Sequence, residues 1–148
     1  MYGLNVRAPF LLMQAAVRLM EREGSGGSIV NIGSVHCHGG MPKLVAYATS
    51  KGALLTMTKN LANAKRESGI RANYIACGWM STPAEHDTQL GEGQPADWLQ
   101  RADEAHHFGR ILRPWDIAKT VTHLLSDDGA MMSGDCINLH EKFFGCWE

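Results

Sequence analysis

The sequence predicts an α/β fold built on a parallel sheet. Short apolar runs at residues 28–32, 71–76 and 136–139 read as strands, and the stretches between them carry helical periodicity. Strands alternating with helices of this length need helical crossovers, which parallel pairing requires. Element by element, the first helix spans about 3–23, with Leu4, Ala8, Leu11, Leu12, Ala15 and Leu19 at helical spacing as its expected core face. The uncharged stretch 8–17 behind Arg7 imitates a secretory apolar region but is too short to span a bilayer, and its periodicity favours an amphipathic core helix. The turn Gly24-Ser25-Gly26-Gly27 ends it, and Ser28-Ile29-Val30-Asn31-Ile32 is a buried-strand candidate leading into Gly33-Ser34.

A glycine-bearing loop ending near Pro42 precedes the helix that carries Tyr47 and Lys51 and continues through Met57 and Leu61, with Gly69 as its expected stop. The second strand is broken by Cys77-Gly78. Residues 81–96 are polar and marked by glycine and proline, the composition of a mobile flap, with a short helix expected over 98–108. Pro114 is an N1 proline for the next helix, with Asp116 in its first turn favouring the dipole and an end near Ser126. Ser133-Gly134 leads into the last strand. No internal repeat or low-complexity segment is present.

Bulk properties narrow the function. A chain of 148 residues with 45% hydrophobic and 20% charged residues is one globular domain by size, with enough apolar material for a core. A net charge of −1 without a basic run argues against nucleic acid or an anionic membrane surface as partner. Cys37, Cys77, Cys136 and Cys146 show neither C-x-x-C nor a framework spacing, so reduced thiols in the cytoplasm are expected. His36-Cys37-His38 resembles a metal-ligand cluster. In an extended segment, however, the two histidines point away from the cysteine, and no second ligand group has zinc spacing. No metal is expected, and the histidines are read as lining a polar pocket.

The chemistry concentrates at Tyr47 and Lys51, four apart on one helix face, with Ser34 thirteen positions before the tyrosine. An ammonium beside a phenol favours release of the phenolic proton, which makes an acid/base suited to an alcohol. By itself the pair also fits a half-buried tyrosine beside a solvated lysine.

Several ordered motifs carry a resemblance that covers the whole chain. They are Asn5 in Asn-Val-Arg-Ala-Pro-Phe, the strand 28–32 before Ser34, Tyr47-x-x-x-Lys51, and Cys77-Gly78-Trp79-Met80-Ser81-Thr82. Gly109-Arg-Ile-Leu-Arg-Pro114-Trp-Asp-Ile-Ala118 and Met132-Ser-Gly134 complete them. Together they resemble the C-terminal two-thirds of a short-chain dehydrogenase/reductase of the classical type. The resemblance implies a partial Rossmann-type three-layer fold, about three parallel strands with flanking helices. Residues 1–148 would then be a truncated domain holding its catalytic and substrate-binding part. It implies NAD or NADP as cofactor and hydride transfer between nicotinamide and an alcohol or carbonyl carbon.

On this resemblance Tyr47 is the proton donor/acceptor, Ser34 bonds the substrate oxygen, and Lys51 holds the nicotinamide ribose. Asn5 anchors a water linking Lys51 to solvent. Gly78, Met80 and Thr82 belong to the turn that meets the carboxamide and pyrophosphate. Pro9 has no N–H to give the Asn5 carbonyl, which is left for another donor; a simple kink is the other reading.

The chain departs from the family pattern in lacking a glycine-rich turn between a first strand and helix, and the residue that selects between the two ribose forms. By that pattern about 100 residues carrying four strands precede Met1, which stands where members have an internal apolar residue. The chain alone is therefore expected to be poorly soluble or partner-dependent, without turnover. Cys77 replaces the usual proline, which frees a fixed φ and restores an N–H. His36, His38, Trp79, Met80, His86 and Trp98 fall in the substrate regions, with Ser34, His36 and Trp79 the expected contacts. Together with the tail, they suit a sugar or polyol; His86, His106, His107 and His123 also fit a plain surface. The alternative is an inactive fragment or dimerisation module that keeps the helices through which members form homodimers and homotetramers.

Overall fold

The computed structural model describes residues 1–141, so Cys146 lies outside the described residues. The strands are β1 (Gly27–Ile32), β2 (Ile70–Cys77) and β3 (Cys136–Leu139), all parallel, in the order β1-β2-β3. The helices are α1 (Ala8–Glu23), α2 (Val45–Ala64), α3 (Pro83–Gly91), α4 (Trp98–Ala105) and α5 (Pro114–Leu125).

The period-two alternation of a strand separates its two faces. On β2, Tyr74 and Ala76 pack against Leu54 of α2, whereas Ile75 and Cys77 pack against Ile117 and Leu124 of α5. On β1, the Asn31 amide donates to Thr58 of α2 at 2.9 Å, while Val30 joins the α5 side. The result is three layers: α1 and α2, the sheet, then α5. The central strand β2 is buried from Ala72 to Cys77; β1 is only half-buried and ends at an exposed Ile32. Its outer edge pairs with no strand among the described residues.

Three sequence expectations change. The buried stripe of α1 is Met13 and Val17, not the leucine stripe; Leu4, Leu11, Leu12 and Leu19 are exposed. The helix carries two apolar stripes, and periodicity alone does not say which one meets the sheet. The expected flap at 81–96 contains the ordered helix α3, whose N-cap is Thr82 accepting from Glu85 N–H at 3.1 Å. Gly69 closes a short 3₁₀ turn, Arg66–Ser68, rather than α2 itself.

Candidate active site

The carboxyl ends of parallel strands are where this architecture builds its sites, and Ser34 and Gly78 follow the carboxyl ends of β1 and β2. Ser34 follows β1 directly and is buried, with a backbone in the extended region. Its hydroxyl accepts from His36 N–H at 3.2 Å, capping the 3₁₀ turn Val35–His38. The His36 ring stands edge-on to the Tyr47 ring, with centroids 6.0 Å apart, so serine, histidine and tyrosine are neighbours.

Tyr47 lies in the first turn of α2 and is half-buried; Lys51 is one turn further on the same face. The Lys51 ammonium lies 5.7 Å from the Tyr47 ring centroid and donates to the Ile32 carbonyl at 3.3 Å. Burial lowers its pKa, and Cys77 opposes that shift. The Cys77 thiol is itself pushed up to about 11 by burial. That carbonyl, of Ile32, engages one of the three ammonium donors.

Asn5 reaches the same helix from below. Its Nδ2 donates to Ser50 Oγ at 3.1 Å, and Ser50 Oγ donates to the Tyr47 carbonyl at 2.7 Å. Asn5 sits in a π-helical turn, Gly3–Arg7, where Ala8 N–H bonds back to the Gly3 carbonyl. The missing N–H of Pro9 and this wider turn coincide, which is how a helix adjusts when its ordinary ladder is broken.

Gly78 extends the β2–β3 ladder by donating to the Leu139 carbonyl at 2.9 Å. A Cβ there would lie 2.6 Å from the His140 Cβ, so the close approach of β3 already requires glycine. Met80 bridges to Leu112, with Ser81 N–H bonded to the Leu112 carbonyl at 2.9 Å, so residues 78–82 are pinned on both sides. Trp79 stacks on the buried Trp98 at 5.9 Å and donates to Glu85 at 2.7 Å. His86 accepts from the Trp98 indole at 2.9 Å, and His38 lies 3.0 Å from Asn138 of β3, so neither ring is grouped with Tyr47 as His36 is.

Sequence reasoning missed Tyr74. It is fully buried, its hydroxyl accepts from Ser34 N–H at 3.0 Å, and it lies 3.3 Å from both the Ser34 and Lys51 carbonyls. One phenol therefore ties the serine loop to the tyrosine–lysine helix. Burial drives its pKa far above the ordinary tyrosine value, so it remains a neutral donor. Gly33 is its counterpart, because a Cβ at position 33 would fall 1.7 Å from the Tyr74 ring. A signal was present in Gly33 preceding Ser34, but the partner lies forty residues on.

His36-Cys37-His38 forms a 3₁₀ turn rather than an extended segment. Cys37 and His38 consequently share one side with Cys136 of β3, their ligand atoms all within 4.8 Å of one another.

A family model described as enoyl-(acyl carrier protein) reductase matches residues 1–140. The 2-(S)-hydroxypropyl-CoM dehydrogenase 3 of Xanthobacter autotrophicus is 33% identical over 133 residues, covering 89% of this chain and 51% of that protein. Glucose 1-dehydrogenase 2 of Bacillus subtilis is 33% identical over 131 residues, with 88% and 49% coverage. Among solved structures, levodione reductase superposes with a TM-score of 0.81 at 29% identity, covering 93% of this chain and 54% of that one. The chain thus spans about half the length of the curated relatives it matches. The match over nearly the whole chain, joined to three parallel strands in one sheet, shows that this chain belongs to the short-chain dehydrogenase/reductase family.

Proposed function

We propose that this chain carries the proton-transfer and substrate-binding part of an oxidoreductase that interconverts an alcohol and a carbonyl with NAD or NADP. The observation that carries the reading is the convergence of Ser34, His36, Tyr47 and Lys51 beyond β1, with Asn5 braced against the Tyr47 helix through Ser50. The bound nicotinamide supplies the acceptor or donor of a hydride at carbon. The chain's own residues do the rest. Ser34 Oγ orients the substrate oxygen, and the Tyr47 hydroxyl takes the alcohol proton in oxidation or returns it in reduction. Lys51, half-buried and with donors to spare, offers them to ribose hydroxyls.

On this reading Lys51 and Tyr47, with Gly78, Met80 and Thr82 of the turn after β2, would hold the nicotinamide end of such a cofactor. The pyrophosphate end has no glycine-rich strand-to-helix turn to receive it among the described residues; β1 runs instead into the Ser34 turn. On the same reading His36 and Trp79 would contact the substrate, and hydrogen-bonding groups beside an aromatic suit a sugar or polyol. The glucose 1-dehydrogenase relative agrees with that choice. A cytoplasmic location and pairing into homodimers or homotetramers through α1 and α2 belong to the same proposal. No described helix is long and apolar enough to cross a membrane.

The test begins with the coding sequence upstream of Met1, where a strand, Gly-x-x-x-Gly-x-Gly and a helix are expected. With that segment included, the polypeptide should reduce NAD or NADP with a polyol, and Ser34→Ala should lower kcat/KM by about 100-fold. Unchanged turnover in Ser34→Ala would refute its assigned contact. An upstream sequence without the motif would favour the dimerisation module instead.

A further inference from the structure

We propose that Cys37, His38 and Cys136 form a binding site for a soft divalent cation of the zinc class, with Asn138 at its fourth position. The three side chains come from two places: the end of the Val35–His38 turn and the first residue of β3. One ligand atom from each lies within 4.8 Å of the others, and His38 Nε2 is 3.8 Å from Cys136 Sγ. A tetrahedral zinc ion with bonds of about 2.3 Å to sulfur and about 2.0 Å to nitrogen holds those two atoms about 3.5 Å apart. That pair therefore needs only a few tenths of an ångström of closure.

Asn138 Oδ1 completes the set, 3.0 Å from His38 Nε2 and 3.9 Å from Cys136 Sγ. Asn138 Oδ1 accepts, so the ring proton sits on Nε2 in that contact; cation binding shifts it to Nδ1 and turns the Nε2 lone pair to the metal. On binding, the two thiols release their protons to solvent, two S–metal bonds form, and the pair of thiolates neutralises the dication. Two sulfurs with one imidazole select zinc-like ions over magnesium or calcium, which take oxygen.

The place in the fold gives the site a consequence. Cys37 and His38 end the turn whose cap is Ser34, so a cation at this point fastens the serine loop to β3. The inference does not depend on the oxidoreductase reading, because it concerns affinity and not turnover.

The experiment is a cobalt(II) titration of the purified, reduced chain, read by absorption. Expected are thiolate-to-cobalt charge transfer and tetrahedral d–d bands saturating at one equivalent, displaced by zinc. Cys136→Ser should abolish the charge-transfer band or weaken binding at least tenfold, and His38→Ala should weaken binding at least tenfold. Should Cys136→Ser fail to fold, as judged by circular dichroism, the exposed His38 variant decides. Cobalt binding that is indifferent to these substitutions overturns the proposal. So does a reduced chain that takes up no cobalt, including one whose Cys37 and Cys136 close into a disulfide on oxidation.

Discussion

Tyr74 is buried, yet its hydroxyl touches both the Ser34 loop and the Lys51 turn of α2. A phenol fits there only because residue 33 has no side chain. Gly33→Ala should therefore destabilise the fold by about 1–3 kcal/mol through overpacking. The pair should also be strongly coupled: in a Tyr74→Ala background, the added methyl at position 33 meets empty space and should cost far less. Denaturant unfolding of the two single variants and the double variant measures that coupling, and additive energies would disprove the contact. At this scale the sequence made legible what lies close along the chain, such as Tyr47 and Lys51 one turn apart on α2. Tyr74 and Cys136 were not legible, since their partners are 40 and 99 positions distant and only strand pairing brings them together.

The three strands could be read as elements because buried parallel strands are short, branched and apolar. The α5 start was read from Pro114 and Asp116, but the depth of its capping was not. Asp116 accepts from Arg113 N–H at 2.8 Å and from Arg110 through two bonds of 2.7 and 2.9 Å. The Arg110 guanidinium, then the Arg113 backbone N–H, hold its carboxyl well below the usual carboxylate range. A depressed folded pKa means that the unfolded chain takes up the proton first. The stabilisation is thus complete above the unfolded value of about 4 and fades as pH falls below it. The Asp116 bond to the Arg113 N–H at the start of the helix is worth about 1 kcal/mol, while solvent screens the exposed Arg110 partner. Asp116→Asn should lose that amount at neutral pH and show a smaller acid-induced drop than the parent. Thermal unfolding between pH 7 and 3 checks this, and parallel curves for both proteins would contradict it. The face of α1 was misread for a different reason: the leucine stripe and the Met13–Val17 stripe are both apolar, and only the sheet decides between them.

In the whole molecule, that leucine stripe becomes an outward apolar surface. Leu4 is 75% exposed, Leu12 70% and Leu19 51%, with Phe10 and Val45 nearby in exposure. An apolar groove of about 410 Å³ lined by Tyr2, Gly3, Val6, Arg7, Phe10 and Met57 adjoins the first helix and contains none of Ser34, Tyr47 or Lys51. Exposed apolar area of this kind promotes association. Leu12→Lys with Leu19→Lys should shift the chain to smaller species in sedimentation velocity; an unchanged distribution would remove α1 as the contact. Beneath all of this lies one chemical assignment, the phenolic proton of Tyr47. The most direct measurement is turnover and dinucleotide affinity of Tyr47→Phe in the polypeptide that includes the upstream segment. Loss of the hydroxyl should lower kcat by about 1,000-fold with NAD(P)H binding retained, whereas near-parental kcat would contradict the account.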